Sequence, residues 1–91
     1  MPEIEWKYAN VTGNSTVETV PCLVKGVYVN SSPTSDGQVK DDSTKVFTIP
    51  SGAAVGNAYN GAPIRFETSL VVQAGGGDVT VLYLRLNEAH A

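Results

Sequence analysis

The stretch Leu70-Val71-Val72-Gln73-Ala74-Gly75-Gly76-Gly77-Asp78-Val79-Thr80-Val81-Leu82-Tyr83-Leu84-Arg85-Leu86 decides the fold class. Two apolar runs rich in valine flank three consecutive glycines. Branched side chains crowd the helical χ1 well but pack well on a pleated sheet. The stretch therefore reads as two strands joined by a glycine turn, the strongest hairpin signal in the chain. In the second run Thr80, Leu82, Leu84 and Leu86 share one face, and Val79, Val81, Tyr83 and Arg85 the other. Both faces are apolar, whereas an antiparallel sheet in a small domain ordinarily keeps one face wet. Such a strand is either the centre of a tight sandwich or part of a subunit interface. The expectation is an interface formed by Val79, Val81 and Tyr83, with Leu82 and Leu84 in the core.

Outward from that stretch, the same grammar recurs. Cys22 to Asn30 is the clearest early strand, with Gly26 marking a bulge or a close backbone approach. Ser31 to Gly37 is a loop that turns at Asp36-Gly37. Shorter strands are expected over Glu5–Val11, Thr16–Val20, Gln38–Lys40, Lys45–Ile49, Pro63–Phe66 and Ser69–Gln73. Trp6 and Tyr8 share a face of the first of these, an edge-strand candidate, and join the expected interface. Ser51 to Ala62, rich in small residues, reads as irregular chain with a short strand around Ala58 and Tyr59 or one helical turn. Residues 1–15 read as an N-terminal arm or edge strand and 87–91 as a fraying tail. Short segments separated by turn signals predict an all-β chain, a small antiparallel β-sandwich or jelly-roll-like barrel. The expected core is Val27, Val29, Phe47, Ile49, Ile64, Phe66, Leu70, Val72, Leu82 and Leu84.

Length and composition bound this reading. Ninety-one residues make one domain, 1–91. A chain of this size buries about 60–65% of its unfolded surface, so its own core is thin. Apolar residues at 42% and charged residues at 16% exclude disorder and long solvated helices. A net charge of −3 with no basic cluster gives no electrostatic footprint for nucleic acid. No run approaches the ~20 apolar residues of a membrane-spanning helix. The opening Met1-Pro2-Glu3-Ile4-Glu5 is acidic where a signal peptide is basic, so synthesis in a cytoplasm is expected.

Catalytic chemistry finds little purchase. The single imidazole, His90, lies in the tail, and the single thiol, Cys22, lies in an apolar run where burial makes it inert. Asp41-Asp42 is the one adjacent carboxylate pair, in a Ser/Thr/Lys-flanked turn where acids are ordinarily solvated. Asp36, Asp41, Asp42 and Asp78 fall in loops but lack the dense spacing of a calcium loop. The glycine runs lack the Lys-Ser/Thr of a phosphate cradle. No catalytic, metal or cofactor residue is assigned, and no enzyme activity is expected. Trp6 and Tyr8 could stack against a sugar, though aromatics in small sandwiches ordinarily serve core or interface.

The run from Lys25 to Tyr83 resembles small structural proteins of tailed bacteriophages. The resemblance rests on Gly26-Val27-Tyr28-Val29-Asn30-Ser31, Asp36-Gly37, Phe47-Thr48-Ile49-Pro50-Ser51-Gly52-Ala53-Ala54-Val55-Gly56, Pro63-Ile64-Arg65-Phe66-Glu67-Thr68-Ser69-Leu70-Val71-Val72 and Val79-Thr80-Val81-Leu82-Tyr83. It covers about two-thirds of the chain and carries no chemical signature. It implies a virion protein, a capsid decoration or cement protein with a jelly-roll-like sandwich, commonly a trimer, whose partner is the major capsid protein or another virion protein. The alternative from a different class is a carbohydrate-binding module of a tail fibre or of a host-derived enzyme.

Overall fold

A computed structural model describes residues 6–86, which form eight strands and no helix. They are β1 (Lys7–Val11), β2 (Asn14–Glu18), β3 (Cys22–Ser31), β4 (Gly37–Asp41), β5 (Thr44–Ile49), β6 (Gly56–Phe66), β7 (Leu70–Gln73) and β8 (Asp78–Arg85). Two four-stranded antiparallel sheets pack together, a front sheet ordered β1-β8-β3-β6 and a back sheet ordered β2-β7-β4-β5. The pairs β1–β8, β2–β7, β3–β6 and β4–β5 are nested. The chain is thus one long hairpin, its tip at Asp42-Ser43, rolled so that alternate pairs fall in opposite sheets. That order is an eight-stranded jelly roll, the sandwich expected from the sequence.

The glycine turn does not make the expected hairpin. β7 lies in the back sheet between β2 and β4, and β8 lies in the front sheet between β1 and β3. Gly75 and Gly76 adopt φ of 62° and 84°, where an L side chain is strained. The Gly75 carbonyl accepts the backbone N–H groups of Thr34 at 2.8 Å and Ser35 at 2.9 Å. The turn therefore passes beneath the β3–β4 loop and carries the chain from one sheet to the other. The true hairpin is β4–β5, closed through Asp42 at a φ of 57°. Of the two readings of the N-terminal residues, the edge strand holds for the described part: β1 is an edge strand of the front sheet and β2 an edge strand of the back sheet. The tail 87–91 and His90 lie outside the described residues.

The core sits between the sheets. Val11, Val24, Val27, Val29, Val79, Val81 and Phe66 of the front sheet meet Val39, Ile49, Leu70 and Val72 of the back sheet, all buried. Of the expected core, Phe47 and Ile64 pack at its margin, and Leu82 is only half-buried. A bulge at Lys25-Gly26 sets which residues of β3 point inward. Val24 pairs with Tyr83 and Gly26 with Leu82, so two β3 residues oppose one residue of β8. The slip moves the inward parity from Cys22 and Val24 to Val27 and Val29. β6 bulges twice against β3, which explains why no two-residue period shows across Gly56–Phe66. The far edges close through the Phe47 and Tyr59 rings, 5.9 Å apart. Phe66 is fully buried, so Phe66→Ala should cost about 3–5 kcal/mol of stability. Chemical denaturation measures it, and a loss under about 1 kcal/mol would contradict the packing described.

Candidate functional site

The two outer faces differ in chemistry. On the back sheet the outward rows are Asn14–Gln73–Gln38–Thr48 and Thr16–Val71–Lys40–Lys45. These are polar apart from Val71, as expected of a wet sheet face. On the front sheet one outward row is Tyr8–Leu82–Gly26, with Leu84–Leu23 in the row beside it. Trp6 precedes Lys7, the partner of Tyr83, and so falls level with Leu84. Tyr8 is 76% exposed, and Trp6, Leu23, Tyr28 and Leu82 are half-buried.

Two local devices shape this front face. The Tyr28 ring folds back across Gly26, where a Cβ would stand 2.9 Å from the tyrosine hydroxyl oxygen. The ring covers backbone that glycine leaves bare and lines up with Tyr8 and Leu82. The bulge also re-aims Lys25, an exposed residue of β3, across β8 toward the start of β1. Its Nζ lies 5.3 Å from the centroid of the Trp6 ring, a cation–π contact. The bridge passes over β8 at Leu84, whose side chain retains 5% exposure although it lies outside the main core cluster.

The other end of the face is polar. The Asn10 amide donates to Asp78 Oδ1 and, at 3.3 Å, to Thr80 Oγ1. From the opposite side the Asn30 amide donates to Asp78 Oδ1 at 3.2 Å and to Thr80 Oγ1 at 2.9 Å. Two carboxamides from β1 and β3 thus clamp the start of β8. The face runs from a cationic, aromatic end at Trp6 and Lys25, through the apolar row Tyr8–Leu82–Tyr28, to an acidic end at Asp78.

The expected interface set is divided by this geometry. Trp6 and Tyr8 lie on the outer face, whereas Val79 and Val81 are fully buried and Tyr83 is 8% exposed, all inside the sandwich. The two faces of β8 are reversed from the expectation, although Leu84, expected in the core, is buried. Leu23, Lys25, Tyr28 and Leu82 complete the outer face and were not anticipated. For Lys25 and Tyr28 the signal is the Gly26 bulge, which swaps parity within β3.

The remaining candidates are structural. Burial, with the charges of Glu18 and Asp41, pushes the Cys22 thiol up to about 11, so it stays protonated. Glu18 is a buried carboxylate, 5% exposed, that forms an ion pair with Arg85, its Oε1 2.8 Å from Nε, and ties the two sheets together. Desolvation, the Glu18 hydrogen bond and the Glu18 charge raise the Tyr83 hydroxyl. Asp41 is not a loosely solvated turn acid, since its carboxylate accepts the backbone N–H groups of Glu67 at 2.8 Å, Thr68 at 2.9 Å and Ser69 at 3.3 Å. Asp36 holds the Ser51 N–H at 2.8 Å. Among the described residues no three metal-ligating side chains converge.

Comparison of the chain with protein-family models, curated proteins and solved structures finds no match.

Partial burial raises the Asp41 carboxyl, but the three N–H bonds outweigh it and hold the group below its ordinary value. A carboxyl depressed on folding stabilises the protein above its unfolded pKa of about 3.9, and that stability is lost as pH falls through the folded value. Asp41→Asn should therefore destabilise at neutral pH and flatten stability against pH below about 4. Thermal denaturation of both proteins from pH 7 to 2 checks it. Parallel curves would contradict the role given to the carboxylate.

Proposed function

We propose that the chain is a non-catalytic structural subunit of a bacteriophage virion, a decoration protein that stabilises an assembled capsid. Its association surface is the outer face of the front sheet. The observation that carries this reading is the contrast between the two faces, one polar and one lined by Trp6, Tyr8, Leu23, Tyr28 and Leu82. Apolar surface gathered on one face of so small a domain favours association. A subunit that binds only the assembled lattice shifts the equilibrium toward that lattice by mass action. Bridging neighbouring capsomers adds avidity. The jelly roll recurs in viral and lectin domains, which fits the reading by analogy only.

The Asn10–Asp78–Asn30 clamp beside exposed Tyr8 favours carbohydrate binding as the second reading, because amides and a carboxylate next to an aromatic ring suit a sugar. Co-sedimentation with undecorated capsids separates the readings. The wild-type protein should pellet with capsids, and Leu82→Asp should remain folded but bind about tenfold more weakly or worse, since a buried unpaired charge opposes association. Val81→Asp, which places the charge inside the sandwich, should unfold the chain. Equal capsid binding by wild type and Leu82→Asp would contradict the surface. Glycan-array binding abolished by Tyr8→Ala, without capsid binding, would favour the sugar reading.

A further inference from the structure

β6 carries the one Asn-Gly step of the sequence, Asn60-Gly61. A peptide nitrogen that follows asparagine can attack the asparagine Cγ, and a side chain on the following residue hinders that attack. Glycine has none and turns freely into the conformation required. A regular ladder guards against the reaction by holding the backbone extended against its partner. At Asn60 that guard ends. Asn60 pairs with Gly26, and the next registered pair is Ile64 with Val24, so Gly61, Ala62 and Pro63 together stand against Lys25 alone. The other side of β6 is the open edge of the front sheet. The Tyr59 hydroxyl donates to the Ala62 carbonyl across this bulge, and Asn60 and Gly61 stay exposed. The Asn60 amide makes no hydrogen bond among the described residues, whereas the amides of Asn10 and Asn30 are held by Asp78 and Thr80. Asp36-Gly37, the one Asp-Gly step, has the same chemistry but is locked. Asp36 holds the Ser51 N–H at 2.8 Å, and Gly37 is buried against the Gln73 carbonyl.

We propose that Asn60-Gly61 is a self-modifying site, at which the folded protein converts an amide of its front face into a carboxylate. The Gly61 backbone nitrogen gives up its proton and bonds to the Asn60 Cγ. The bond from Cγ to the side-chain nitrogen breaks, and that nitrogen leaves with the proton as ammonia. The succinimide ring that remains takes up water. Water added at Cγ breaks the new bond and yields aspartate. Water added at the main-chain carbonyl carbon breaks the original peptide bond and yields isoaspartate, with the chain continuing through the former side chain. Water is the only co-reactant, and nothing is oxidised or reduced. Cross-strand partners share a face, so Asn60 lies outward beside Gly26, at the end of the row Tyr8–Leu82–Gly26. The product therefore adds a negative charge at the edge of that face. The modification rests on the geometry of β6 and not on the reading of the face as an association surface.

Incubation of the folded protein in mildly alkaline buffer, followed by peptide mass analysis, tests the proposal. The peptide holding Asn60 should gain about 1 Da and separate into aspartate and isoaspartate forms. It should react about tenfold faster, or more, than the peptides holding Asn10, Asn14, Asn30 and Asn57, none of which precedes glycine. Asp36 should form no isoaspartate while the protein is folded. Gly61→Ala keeps the asparagine and should slow the change about tenfold or more. The added Cβ would stand 3.3 Å from the Tyr59 hydroxyl oxygen, which shifts slightly to admit it. Asn60→Gln should abolish the change over the same period, and it carries the test if Gly61→Ala fails to fold. Far-UV circular dichroism of each variant and of the aged protein establishes that the sandwich is intact. The rate in the folded protein should lie within about tenfold of the rate in urea, because the bulge leaves the site open without unfolding. An Asn60 that stays intact in the folded protein would overturn the proposal, most plainly where the urea-unfolded chain reacts. Equal rates in wild type and a folded Gly61→Ala would overturn it as well.

Discussion

The passage from β7 to β8 runs directly beneath the segment Ser31–Gly37, with no room for a side-chain carbon between the two backbones. A Cβ on Gly75 or Gly77 would collide with the carbonyl oxygens of Ser35 or Ser31, and one on Gly37 would lie 2.6 Å from the Gln73 carbonyl oxygen. The Gly75 carbonyl is meanwhile spoken for by two backbone donors of the β3–β4 loop. This close approach prevents β7 and β8 from pairing with each other. Each must find partners elsewhere, β7 between β2 and β4 and β8 between β1 and β3. The nested pairs of the jelly roll follow, as does the position of β8 at the middle of the front sheet.

Strand content was legible because it depends on local chemistry. Cys22–Ser31, Thr44–Ile49, Leu70–Gln73 and Asp78–Arg85 match the expected strands within about two residues, since branched residues and flanking turn residues act within a few positions. The pairing of those strands was not legible. A glycine triplet between two apolar runs fits a hairpin and an inter-sheet crossing equally well, and only the distant loop at Thr34 and Ser35 selects the crossing. β6 was read in fragments because its bulges, Pro63 and its Gly and Asn residues erase the two-residue period.

The reversed faces of β8 have a specific cause. Two charged residues mark opposite sides of that strand. Asp78 shares a face with Thr80, Leu82 and Leu84, and Arg85 shares a face with Val79, Val81 and Tyr83. Asp78 marks the outward side, where Asn10 and Asn30 hold it. Arg85 does not mark a solvent side, because it turns in at the strand's end toward buried Glu18. A bulge between Thr16 and Glu18 accompanies the inward placement of that carboxylate, and no local pattern in the sequence announces it. An inward ion pair joining the sheets thus puts a charged residue on the core face of β8, the face expected to form an interface. Once parity is settled by Asp78, the row Tyr8–Leu82–Gly26 is what β8 and its neighbours turn outward. The Lys25–Gly26 bulge then adds Tyr28 and Lys25 to the same face, so one backbone irregularity serves both core and surface.

The account stands or falls on whether the front face is a contact surface. Paramagnetic relaxation from an inert, soluble probe, read at the side chains of the folded protein alone at low and high concentration and with capsids present, tests it most directly. Signals from Tyr8, Tyr28 and Leu82 should lose their relaxation enhancement on association, while Gln38, Thr48 and Val71 on the back sheet keep theirs. Protection confined to the back sheet, or no protection anywhere at high concentration or with capsids, would contradict it.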